Sequence, residues 1–139
     1  MDRISKVPLI ILIVSIFVFG GASVFKSSGL FFEQIRTIET TIGGSIYLHL
    51  CASFFMGGFC RLVTKKNLLF ALPPTTLVAF ALVMIDELLQ LFIASRGFSW
   101  MDILANLLGV LLGTYFVNII MSVWAFILEH RLIFEKNDN

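Results

Sequence analysis

Residues 103–128 read ILANLLGVLLGTYFVNIIMSVWAFIL, a run without a single Asp, Glu, Lys or Arg. At about 1.5 Å per residue, a helix of this length more than crosses the roughly 30 Å hydrocarbon layer of a bilayer. The rest of the chain has the same character. Its 139 residues are 58% hydrophobic and 14% charged, with a mean hydropathy of +0.97. A soluble domain carries about 25% charged residues, so this chain lacks the polar surface to cover a water-facing globule. Its apolar residues must face lipid as well as one another.

Working outward from this run, three further spans emerge: about 7–25, 45–63 and 68–93. Together with 103–128 they predict an all-α integral membrane bundle of four transmembrane helices, forming a single transmembrane domain over residues 1–139. Arg3 and Lys6 precede the first span and Gly20-Gly21-Ala22-Ser23 lies near its end. That pattern also describes a signal peptide, but the apolar stretch is long for one, which favours an uncleaved anchor. Pro73-Pro74 near the start of the third span predicts a tolerated kink. Between the first two spans, Phe31, Ile35, Ile38 and Ile42 recur at helical spacing, with Glu33, Arg36 and Glu39 between them. This predicts an interfacial helix with its apolar face down. Gly43-Gly44 then permits a sharp turn. The tail Glu129 to Asn139 is polar and is expected to fray.

Lys and Arg counts set the orientation. Arg3, Lys6, Arg61, Lys65, Lys66, Arg131 and Lys136 fall on one side, against Lys26, Arg36 and Arg96 on the other. The excess predicts a multi-pass protein of the cell membrane with both termini cytoplasmic. A net charge of +1 argues against a nucleic-acid partner, which needs a concentrated basic face. Cys51 and Cys60 are about 13 Å apart along one helix, too far for a disulfide within it, and read as small packing residues.

Antiparallel threading brings polar residues from three spans to one depth, on the extracytoplasmic side. His49 lies near the start of the second span, Asp86, Glu87 and Gln90 near the end of the third, Arg96 in the hairpin, and Asp102 and Asn106 at the start of the fourth. Adjacent acids within an apolar run are functional hypotheses by default. Asp102 and Asn106 share a face that continues into Gly109 and Gly113, a G-x-x-x-G pair that admits a close helix neighbour. Ser99 and Asp102 have capping-box spacing, so Asp102 also reads as a plain helix-start residue. Arg96 also reads as an interface anchor, and His49 as a hydrogen-bonded packing residue.

The order Asp86-Glu87-Leu88-Leu89-Gln90, Arg96-Gly97-Phe98-Ser99, Asp102-Ile103-Leu104-Ala105-Asn106, Gly109 and Gly113 resembles the VanZ-like family. An Asp-Lys-x-x-His-Phe signature that the family tends to carry is represented only by His49. The resemblance implies a small multi-span envelope protein, in a family named for an association with glycopeptide (teicoplanin) resistance.

Three functions compete. The first is non-enzymatic binding of a lipid-like or glycolipid-like ligand, a membrane lipid or lipid-linked envelope component, near the outer leaflet. The polar cluster would read the headgroup, with Gln90, Arg96, Asp102 and Asn106 as ligand-binding residues and Arg96 holding an anion. The second is a membrane hydrolase or transferase acting on a lipid-linked substrate, with Glu87, His49 and Asp86 as catalytic candidates and Glu87 preferred. The third, a proton or ion pathway, ranks last because charge is confined to one end. A lone His without a close-spaced ligand pair predicts no metal, and no other cofactor is expected. A homo-oligomer is left open.

Overall fold

The computed structural model describes residues 6–27, 32–64, 72–92 and 98–137. The described residues form five helices: α1 (Lys6–Ser27), α2 (Phe32–Ile42), α3 (Ser45–Val63), α4 (Pro74–Leu89, ending in a 3₁₀ turn at Gln90–Phe92) and α5 (Trp100–Asn137). The result is the expected all-helical membrane bundle. Ser45–Val63, Pro74–Phe92 and Trp100–Arg131 are long and apolar enough to cross a bilayer. With 22 residues, α1 has the length as well.

Hydrogen-bonding needs at the helix ends set the boundaries. Short, amphipathic α2 closes on the glycine pair: the Gly43 N–H donates to the Thr40 carbonyl at 3.3 Å and the Gly44 N–H to the Glu39 carbonyl at 2.7 Å. This is a Schellman arrangement, with Gly43 at φ +103° and Gly44 at +127°. Ile38 and Ile42 are exposed on α2, as a helix in the interface requires; Phe31 lies outside the described residues.

Two expected boundaries are corrected. The third span does not bend at its prolines: α4 starts at Pro74, with Pro73 extended before it, and position 68 lies outside the described residues. Proline lacks an N–H and drives its predecessor out of the α region, so the pair opens a helix more readily than it bends one. The tail does not fray at Glu129. Instead α5 continues to Asn137, giving 38 residues or about 57 Å. No Gly or Pro follows Gly113, so nothing in the sequence stops the helix.

α3 and α5 run parallel and form the central pair, with α1 and α4 antiparallel to α3. Leu12, Met56, Cys60, Val63 and Ala79 make the apolar core between α1, α3 and α4. Small polar side chains cross-link the helices deeper in. Thr114 Oγ1 donates to the Gly57 carbonyl at 3.1 Å and lies 3.3 Å from Thr76 Oγ1. Thr75 Oγ1 donates to the Cys60 carbonyl at 2.8 Å. Cys60 packs as expected, whereas Cys51 is exposed. Phe17, Trp100, Ile119 and Trp124 are each more than 60% exposed, a cost in water that lipid removes.

Candidate functional site

Ser45, His49 and Ser53 lie four residues apart and form one stripe on α3. The stripe faces the start of α5. Ser53 Oγ donates to Asn106 Oδ1 at 2.7 Å, Ser45 Oγ donates to Asp102 Oδ1 at 3.5 Å, and His49 Nε2 stands 3.7 Å from Asp102 Oδ2. One turn deeper, glycines replace polar side chains. A Cβ on Gly109 would lie 2.6 Å from the Leu50 carbonyl oxygen. A Cβ on Gly113 would strike the Phe54 carbonyl, and one on Gly57 the Val110 carbonyl. Gly109 and Gly113 therefore face α3 within the same chain.

The α4–α5 corner is a second polar centre. Glu87 is 1% exposed. Its Oε2 accepts from Gln90 Nε2 at 2.9 Å and its Oε1 accepts the backbone N–H of Ser99 at 3.2 Å. Ser99 caps α5, its Oγ accepting the Asp102 N–H at 3.3 Å. In a capping box the reciprocal bond to the cap residue's N–H comes from a side chain three residues on. Here Glu87, from the preceding helix, supplies it. The arrangement satisfies helix-start donors, and a carboxyl group suits the positive end of the α5 dipole.

Asp86, the next residue back, points elsewhere. Successive helical residues are about 100° apart, so the two acids cannot share a face. With His49, Ser53, Asn106 and Glu39, Asp86 lines a cavity of about 490 Å³ bounded by α1, α2, α3, α4 and the first turns of α5. Its remaining wall is mainly apolar, including Ile16, Leu48, Met56, Leu82 and Val83. The volume lies in the roughly 300–1,000 Å³ range of small-molecule sites, which combine apolar walls with a few polar groups.

The single cavity expected to hold all the polar residues is thus divided. Of those residues His49, Asp86 and Asn106 line it; Glu87 and Gln90 are buried at the corner, and Asp102 stands behind His49. Glu87, the preferred acid, has both oxygens engaged in holding the corner together. Arg96 lies outside the described residues. Ser45, Ser53, Thr76 and Thr114 were not singled out by sequence, although the Ser45–His49–Ser53 spacing carried a signal; Ser99 caps α5 as its spacing from Asp102 suggested.

A family model described as VanZ/LLP1 matches residues 7–121, which take in α1 through most of α5. The chain belongs to the VanZ/LLP1 family. No curated protein matches it, and no solved structure does. Membership agrees with the multi-pass membrane architecture, and the matched segment contains every residue of the cavity wall.

Proposed function

We propose that this VanZ/LLP1 family protein binds a lipid-like amphiphile of the cell envelope in the cavity beside α3, with both termini in the cytoplasm. One observation carries this reading: an apolar cavity of about 490 Å³ whose polar lining includes His49, Ser53, Asp86 and Asn106. The apolar wall would take a chain, and the polar side chains its head. The orientation rests on the distribution of Lys and Arg, which would turn the cavity's polar end toward the outer leaflet. Cysteine labelling of Lys65→Cys only from outside intact cells would reverse that orientation.

Native mass spectrometry in envelope-lipid nanodiscs tests the binding. Wild type should retain an amphiphile that Ala52→Phe, which fills the cavity, releases. Equal retention by both proteins would sink the reading. A link to teicoplanin resistance is part of the proposal, and deleting the gene should then lower teicoplanin tolerance. Unchanged tolerance would remove that link.

A specific observation favours a second reading, acid–base catalysis on a lipid-linked substrate. His49 reaches the cavity while Asp102 stands 3.7 Å behind its Nε2, and a carboxyl group so placed can orient an imidazole for proton transfer. Turnover of lipid-linked envelope precursors that is lost in His49→Gln would support catalysis. Retention of intact ligand by the wild type, with no product formed, would exclude it.

A further inference from the structure

Resting on the proposed amphiphile site, the geometry points to entry from the side: the cavity opens to lipid through an apolar slot between α4 and the α1–α2 pair, and the chain of a bilayer amphiphile threads this slot. Helix packing leaves the slot open. Among the described residues α1, α2 and α4 each pack on α3, but α4 makes no extended contact with α1 or α2. One end of the cavity is shut where Leu12, Met56 and Ala79 meet, with Ile16 and Val83 packed against them. Over the other end lies α2, whose Ile35 and half-buried Glu39 face the cavity.

Side chains that line the cavity and are also exposed mark the slot. Val18 and Gly20 on α1, Ile38 on α2, and Leu82, Ile85 and Leu89 on α4 do both. None of the six is polar. Leu82, Ile85 and Leu89 share one face of α4 and run for about 10 Å along it. They belong to a helix long and apolar enough to cross a bilayer, so the slot faces lipid. Opposite it stand Ser53 and Asn106, 3% and 7% exposed and bonded to each other. Polarity thus rises inward from an apolar mouth. An amphiphile fits this gradient with its head inside and its chain leading back through the slot, where the methylenes meet side chains as apolar as the lipid they leave. A wholly water-soluble molecule has no such path, because it must give up hydration at a mouth that returns no hydrogen bond.

The test uses the full chain in phosphatidylcholine nanodiscs. Cys51→Ser removes the exposed native thiol, buried Cys60 stays, and Ala52→Cys places a thiol on the cavity wall. Two reagents are compared by peptide mass spectrometry: N-dodecylmaleimide, which dissolves in the bilayer, and a sulfonated maleimide confined to water. Each rate is divided by that at an exposed reference, native Cys51 for the alkyl reagent and Thr41→Cys on α2 for the sulfonated one. The normalised rate of the alkyl reagent at Ala52→Cys should be about tenfold higher, since the apolar mouth penalises the sulfonate alone. Gly20→Trp, placed where a Cβ meets nothing within 4 Å, and Ile85→Trp on the opposite rim should each slow the alkyl reagent severalfold at Ala52→Cys and leave its rate at Cys51 unchanged. A sulfonated reagent as fast as the alkyl one, or an alkyl rate unchanged in both tryptophan variants, would overturn lateral entry and leave the amphiphile site standing. No reaction of either reagent at Ala52→Cys would overturn the site itself.

Discussion

The two flanks of α3 are built on opposite principles. On the α5 side the backbones approach so closely that Gly57, Gly109 and Gly113 have no room for a Cβ. Serine and threonine hydroxyls bridge the helices above and below the contact. On the side toward α1, α2 and α4 the same helix faces an apolar cavity with polar groups at its edge. In lipid, helix association relies on close packing and interhelical hydrogen bonds, because the solvent is as apolar as the side chains. The seam with α5 uses both. This leaves the other flank free to stay open, so rigidity on one side permits a binding volume on the other. His49 and Ser53 stand on the border and belong to both.

Substitutions that break this contrast should have unequal effects. The largest is expected for Gly113→Leu. Its side chain would enter the space held by the Phe54 carbonyl, and overpacking of this kind costs about 3 kcal/mol or more. Thermal unfolding in detergent should show a lowered midpoint, whereas an unchanged midpoint would mean that the seam is loose. Thr114→Val keeps the shape but removes the bonds to Gly57 and Thr76. Bonds of this type in a membrane average about 0.6 kcal/mol, so a small loss is expected in the same assay, and a loss as large as that of Gly113→Leu would be too great for hydrogen bonding alone. The smallest effect, of opposite sign, is expected beside the cavity. A Cβ on Gly20 would meet nothing within 4 Å, so Gly20→Ala should gain about 0.5 kcal/mol from helix propensity. A loss there would show that the cavity flank is as tightly packed as the seam.

The sequence carried much of this fold because run length and composition speak directly to a bilayer. The uncharged run at 103–128, the spacing of Ile35, Ile38 and Ile42, and the Gly43-Gly44 turn each state a local requirement. The course of α5 past Glu129 was harder to read. Charged residues look like a tail, yet Arg131 and Glu135 are four apart and compatible with a continuing helix. The division between Asp86 and Glu87 was not legible. It depends on how α4 is rotated about its axis, and that rotation is set by the packing of buried Thr76 and Ala79 against neighbouring helices. Neutral Ser45 and Ser53 were overlooked because small hydroxyls sit easily in a span, and only the partner helix reveals what they bind.

The pair Asp86 and Glu87 offers the most direct test of the division between a structural corner and a binding cavity. Thermal unfolding and retention of the envelope amphiphile in native mass spectrometry should be measured together for Glu87→Gln and Asp86→Asn. Glu87→Gln replaces an acceptor that holds Gln90 or Ser99, so it should cost about 1–3 kcal/mol while retention by the folded protein stays as in wild type. Asp86→Asn should lower retention and change the unfolding midpoint less than Glu87→Gln does. The opposite pattern, with Glu87→Gln altering retention at full stability and Asp86→Asn causing the larger loss of stability, would contradict the assignment of Glu87 to the corner and Asp86 to the cavity.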